Sequence, residues 1–323
     1  MRLELKKLIQ RQKMMTNVLI ALCPIVVVSI FFYGWRTLAV QAVVIVFAFL
    51  TEYFFVRKDK KPVTEAVFVT AILYTLTLPP SIPYWIAIVG IVFGVVFGKM
   101  AFGGFAKNVF NPALVARAFV YVCFPNFMTI DWTQASSGFP GGFVKWLNPA
   151  VEVITTATPL NLFRSEAMVS DIPQLLLGNV AGVMGETSKV LIILGAAYLI
   201  YKKTASWQIM AACAIGFVGA SFAIGFVSDT QFMPAIHGLL SGGFLFGAAF
   251  MATDPVSAAS TKEGKWIYGI IVGVVTFIIR SFSLFAEGMM FAILIANTFV
   301  PLIDEMVRQY NDGKKKKGAV SNG

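Results

Sequence analysis

Residues 63–98 read VTEAVFVTAILYTLTLPPSIPYWIAIVGIVFGVVFG. Two apolar runs, 63–79 and 82–98, are divided by Pro79-Pro80-Ser81-Ile82-Pro83. Each run comes close to the roughly 20 residues that a helix needs to cross a hydrocarbon layer of about 30 Å. Proline cannot continue a helix and biases the residue before it towards extended backbone. The stretch therefore predicts a tight proline hairpin between two membrane-spanning helices.

The rest of the chain extends this pattern. Its 323 residues are 58% hydrophobic and 13% charged, with a mean hydropathy of +0.78. A soluble domain carries about 25% charged residues, so this chain cannot clothe a water-facing surface. Apolar runs predict about ten transmembrane helices, at 15–33, 37–56, 63–79, 82–98, 110–127, 187–201, 206–227, 232–251, 266–281 and 284–303. The fold class is an all-α integral membrane protein. The N-terminal MRLELKKLIQRQK is basic, but the apolar run after it is long enough to span, so a cleavable signal is not expected.

Lysine and arginine set the orientation, because they collect in cytoplasmic loops. One side holds the basic N-terminus, the Arg57–Lys61 loop, Lys99 and Lys107, Lys202 and Lys203, Lys262 and Lys265, and Arg308 with Lys314 to Lys317. The other holds Arg36, Lys145, Arg164, Lys189 and Arg280, while Arg117 lies within a span. Both termini are expected in the cytoplasm, with an even number of spans. The net charge of +10 thus reads as membrane orientation and contact with lipid, and nucleic acid is not an expected partner. The expected units are a cytoplasmic segment 1–14, a first five-helix repeat 15–127, an outer loop 128–186, a second five-helix repeat 187–303 and a basic tail 304–323. Loops longer than about 12–15 residues are usually functional.

A weak internal repeat supports two halves. Thr77-Leu78-Pro79, an apolar span to Lys99 and then Phe110 to Phe119 parallel Thr253-Asp254-Pro255, a span to Arg280 and then Met290 to Phe299. Five spans per half would give the halves opposite orientation, and inverted repeats of this kind place sites near the midplane.

Cys23, Cys123 and Cys213 are far apart in apolar runs and read as buried small hydrophobes. With no CxxC pair and a single histidine, His237, a metal or haem site within one subunit is not expected. If this chain does redox chemistry, the carrier must be an organic cofactor.

Candidate chemistry lies in the polar interruptions. Gly98 to Asn108 is a glycine-rich basic loop that reads as a re-entrant turn before the Asn111-Pro112 helix start. Glu186 and Thr187 sit where residues cap a helix. Asp254 and Glu287 are carboxylates at or inside spans, which are costly and by default functional candidates. Glu287 has Arg280 as a nearby pairing choice, and Arg117 is a buried cation without an evident partner. Thr155-Thr156-Ala157-Thr158-Pro159-Leu160 places three hydroxyls and a proline in the outer loop.

These motifs resemble a known family in their order along nearly the whole chain. They are Gly98-Lys99, Phe102-Gly103-Gly104, Asn108, Phe110-Asn111-Pro112-Ala113, Thr155 to Leu160, Gly178-Asn179, Gly185-Glu186-Thr187-Ser188, Met251 to Ser257 and Glu287-Gly288. The sequence resembles RnfD, a membrane component of the Rnf complex, which is an ion-pumping ferredoxin:NAD oxidoreductase. It is also similar to NqrB, the corresponding component of the sodium-pumping NADH:quinone oxidoreductase, although its length is closer to the Rnf member. The resemblance implies that a flavin transferase attaches FMN through its phosphate to Thr158, read as an exposed hydroxyl on a flexible loop. Thr156 stands where the family motif often has glycine, and Glu152 where an aspartate is common. A second, non-covalent flavin, riboflavin, is also implied for some members.

The expected function is a membrane electron-transfer subunit of an Na⁺- or H⁺-translocating ferredoxin:NAD⁺ oxidoreductase, in complex with Rnf subunits A, B, C, E and G. Asp254 and Glu287 are its candidate ion-coupling carboxylates, while NAD and ferredoxin would bind partner subunits. The alternatives are the NqrB role in a quinone reductase and, from another class, a flavin-free small-solute channel or transporter.

Overall fold

The computed structural model describes residues 8–129, 132–136, 138–147, 157–186, 188–227, 232–283, 285 and 287–321. The first apolar runs form α1 (Lys13–Tyr33), α2 (Arg36–Val56), α3 (Ala66–Leu76), α4 (Tyr84–Gly98) and α5 (Pro112–Cys123). Two short helices, α6 (Pro159–Glu166) and α7 (Ile172–Leu177), lie in the long connection between α5 and α8. The later runs form α8 (Lys189–Tyr201), α9 (Trp207–Gly225), α10 (Ala235–Leu240), α11 (Lys262–Phe282) and α12 (Met289–Ser321). A short parallel pairing of Ile9–Gln10 with Val63–Thr64 ties the start of the chain to the entry of α3.

Helix starts follow local chemistry. Asn111 and Thr261 accept from the backbone N–H groups of Ala113 (3.0 Å) and Gly264 (3.2 Å), satisfying donors that a helix leaves free. Pro112 follows Asn111 as the first residue of α5, where its missing N–H costs nothing.

Span lengths differ from the sequence expectation. Among the described residues, six helices are long and apolar enough to cross a membrane. The expected third, fifth and sixth spans are only 11, 12 and 13 residues long as α3, α5 and α8. The eighth breaks after α10 at Ser241–Gly243 and resumes as Phe244–Phe246 and a π-helical turn, Gly247–Met251.

Broken helices are tolerated at membrane depth only where the protein satisfies the freed backbone groups. Arg36, at the start of α2, donates to the carbonyls of Pro80, Ser81 and Ile82 in the proline hairpin. Arg280, on α11, donates to the carbonyls of Gly238 (2.6 Å) and Ser241 (3.2 Å) at the break after α10. Each break is thus closed by a buried guanidinium.

Helix pairing repeats along the chain. α2 packs on α4 and α4 on α5, and likewise α9 packs on α11 and α11 on α12. Between these sets, α1 meets α8 and α5 meets α12. The α9–α11 seam is built from small residues, as membrane helices that approach closely require. A Cβ on Gly273 would stand 2.1 Å from the Cys213 carbonyl oxygen.

The expectation that all three cysteines are buried fails. Cys213 lies in that seam and is buried, whereas Cys23 and Cys123 are exposed. The outer wall of a membrane helix is apolar, so an apolar thiol there on α1 or α5 needs no burial.

Candidate functional site

Thr158 is the N-cap of α6. Its Oγ1 accepts from the backbone N–H of Asn161 at 3.3 Å, and Pro159 takes the first helical position. The residue is 8% exposed, so the expected exposed hydroxyl on a flexible loop is corrected to a buried, bonded one. The cause is local. Leu160 is buried beside Thr158, and one of its methyl groups rests where a side chain on Gly242 would stand. Arg164 fixes the other end of α6, donating to the carbonyls of Arg280 (2.7 Å) and Phe285 (2.8 Å). Glu152, Thr155, Thr156 and Thr187 lie outside the described residues.

Below α6 is a cleft of about 750 Å³, partly open to solvent, with Thr158, Tyr121, Trp132, Leu175 and a cluster of charges in its wall. Arg117, from α5, pairs with Glu186 (3.4 Å) and with Glu287. Glu287 also accepts from the Gly243 N–H at 2.7 Å, in the break of the eighth span. Lys189 donates to the carbonyls of Glu186 and of Gly242, the latter at 3.2 Å. Arg117 thus compensates the two carboxyl groups, with Lys189 beside them, in the interior, where an unpaired charge is very costly.

Three sequence expectations change here. Arg117 has partners, Glu186 and Glu287. Glu287 pairs with Arg117 rather than Arg280, because Arg280 is committed to the carbonyls of the helix break. Glu186 is part of the charge cluster rather than a simple helix cap. It is brought there by the connection before α8, where the N–H groups of Met184 and Gly185 donate to the carbonyls of Leu78 (3.1 Å) and Leu76 (2.7 Å). Only glycine fits at 185, since a Cβ there would stand 2.6 Å from the Leu76 Cβ. Burial, reinforced by Glu287, pushes the Glu186 carboxyl up, against the pull of Arg117 and Lys189.

Asp254 is not brought to this cluster. It lines a second cleft of about 630 Å³ with Lys99, Asn108, Asn111, Thr253 and Thr204. Its carboxylate accepts from the Val256 N–H (3.1 Å) and the Ser257 hydroxyl (3.0 Å), closing its own turn. Lys99, expected as a loop cation, is buried and donates to Glu52 (2.6 Å) and Thr64 (2.7 Å). Two site residues were not singled out from the sequence, Glu52 and Lys189, and the signal for both is a charge within an apolar run, at 37–56 and 187–201.

The model of the NQR2, RnfD, RnfE family matches residues 5–313. The chain belongs to that family. Its relatives include B subunits of Na⁺-translocating NADH-quinone reductase. The one from Pseudomonas aeruginosa is 44% identical over 273 residues, covering 80% of this chain and 64% of that protein. The one from Klebsiella pneumoniae is 41% identical over 282 residues, covering 82% and 65%. The Yersinia pestis protein is 39% identical over 289 residues, covering 86% and 68%. This member of the NQR2, RnfD, RnfE family therefore spans less than two thirds of the length of the first relatives it matches.

Proposed function

We propose that this chain is the membrane electron-transfer subunit of an Na⁺- or H⁺-translocating oxidoreductase complex and carries FMN as a phosphoester on Thr158. The observation that carries the reading is the place of Thr158, whose hydroxyl caps α6 and borders the cleft that holds the charge cluster. Family membership and the names of the relatives support it.

The residues present fit the group. A phosphoester on the Thr158 oxygen would stand at the N-terminus of α6, where peptide dipoles favour an anion. Tyr121, Trp132, Leu160 and Leu175 offer the cleft an aromatic and apolar wall suited to a planar ring. FMN, when bound, supplies one- and two-electron transfer, and the protein supplies position and electrostatics. Arg117 holds Glu186 and Glu287 in place behind the cleft. Glu287 shares the cleft with Thr158, whereas Asp254 faces the second one, so Glu287 is the better placed of the two coupling candidates. A second, non-covalent flavin, riboflavin, belongs to the same proposal. The second cleft, with the amides of Asn108 and Asn111 beside apolar walls, suits an uncharged ring.

The partners in this reading are the Rnf subunits A, B, C, E and G, with ferredoxin and NAD bound on them, and a flavin transferase for maturation. The names of the relatives favour a second reading, the NqrB role in a quinone reductase. A purified complex that reduces quinone rather than NAD⁺ would select it. The bacterial inner membrane, two inverted five-helix halves, cytoplasmic termini and an outer Thr158 complete the proposal. The repeated helix pairing supports the halves. Three of the five cations assigned outside, Arg36, Lys189 and Arg280, are buried structural groups, which sharpens the bias towards the inner side.

The test is a denaturing gel of protein co-expressed with its transferase, viewed under ultraviolet light. A fluorescent band is expected, and it disappears completely in Thr158→Ala. A dark band from the unsubstituted chain, with a transferase active on another acceptor, would remove the FMN assignment and turn attention to solute-uptake assays.

A further inference from the structure

An acceptor hydroxyl must meet a phosphorus in line at about 3–3.5 Å. The closed structure does not offer this. Thr158 is buried, its oxygen accepts from the Asn161 N–H, and α6 is held down at both ends by Leu160 and Arg164. A transferase bringing a flavin dinucleotide has to reach that oxygen from outside.

We propose that Ala157–Ala167 is a latch that must lift from the bundle before Thr158 can be modified, with Arg164 setting how often it lifts. This rests on the reading of Thr158 as the flavin acceptor. In the lifted form Oγ1 attacks the flavin-side phosphorus of the dinucleotide. The Thr–O–P bond forms as the phosphoanhydride breaks, the nucleoside monophosphate leaves, and the hydroxyl proton passes to a base of the transferase. No electron changes hands in this step. When α6 closes again, Thr158 returns to the cleft and the N-cap position becomes the phosphoester position.

Arg164 is the part to remove. It is exposed, and it donates to main-chain carbonyls across the gap between α6 and the end of α11 and its following connection. Losing charge-assisted bonds of this kind raises an opening equilibrium by about tenfold or more. Leu160→Ala loosens the other end and is an independent variant.

The experiment uses full-length apo-protein made without the transferase and purified in detergent. Transferase and flavin dinucleotide are then added, and the fluorescent band is followed in time. Arg164→Ala and Leu160→Ala are expected to gain flavin about tenfold faster than the unsubstituted chain. Equal or slower rates in both folded variants would overturn the latch.

A second readout needs no flavin. Thr158→Cys, in a background with Cys23, Cys123 and Cys213 replaced by alanine, is treated with a membrane-impermeant maleimide. Slow labelling that Arg164→Ala accelerates is expected, and labelling as fast as that of a surface cysteine would also overturn the proposal. If no version gains flavin while labelling is slow and accelerated by Arg164→Ala, the acceptor assignment falls and the latch stands.

Discussion

Arg117→Met destabilises the protein by about 3–5 kcal/mol, because it strands two buried carboxylates. Glu186 and Glu287 come from different connections and meet through the guanidinium of α5. Without it they face each other in a low-dielectric interior, with Lys189 already engaged by the carbonyls of Glu186 and Gly242. The expected readout is a large fall in the thermal unfolding midpoint in detergent, with loss of α5–α12 packing. The triple variant Arg117→Met, Glu186→Gln, Glu287→Gln should recover most of that loss, because it removes the charges together. Should the single and triple variants unfold alike, the cluster would be a set of independent contacts rather than a neutralised unit.

Gly273→Ala is the second large effect. The added methyl would lie 2.1 Å from the Cys213 carbonyl oxygen and 2.6 Å from the Phe217 nitrogen. Both are backbone atoms of α9, so no side chain can swing away and the helices must part. Overpacking costs about 1–3 kcal/mol and occasionally more, and a backbone-to-backbone clash belongs at the upper end. Gly219→Ala on α9 is the control. Nothing lies within 4 Å of its new methyl, and alanine is the better helix former by about 0.5–1 kcal/mol. Opposite shifts of the unfolding midpoint are expected from two chemically identical substitutions. A neutral Gly273→Ala would mean that α9 and α11 are not in the close contact described.

The membrane class, the order of the helices and the Asn111-Pro112 start were legible because they depend on local chemistry and on composition. Thr158-Pro159 carried the same helix-start signal, a hydroxyl followed by proline, and this is what buries the Thr158 side chain. Its polar neighbours masked that signal and gave the impression of a loose loop. The half-length helices were harder, since a short apolar helix plus an apolar connection has the composition of a full span. Contacts over long separations left little local trace. Arg117 finds Glu186 after 69 residues and Glu287 after 170. One hint was available: a chain with only 16 aspartates and glutamates has few that border apolar runs, and an intramembrane arginine must draw on those.

The distance along the chain between Arg117 and its partners also has a meaning in time. An arginine cannot shed its proton, and Glu287 follows 170 residues later. At roughly 5–20 residues per second, synthesis takes on the order of 10–30 s to deliver that carboxylate. During this interval α1 to α5 are complete in sequence while their guanidinium still lacks one of its counter-charges. Closure of the bundle is therefore clocked by the arrival of Glu287, long after α5 has been made.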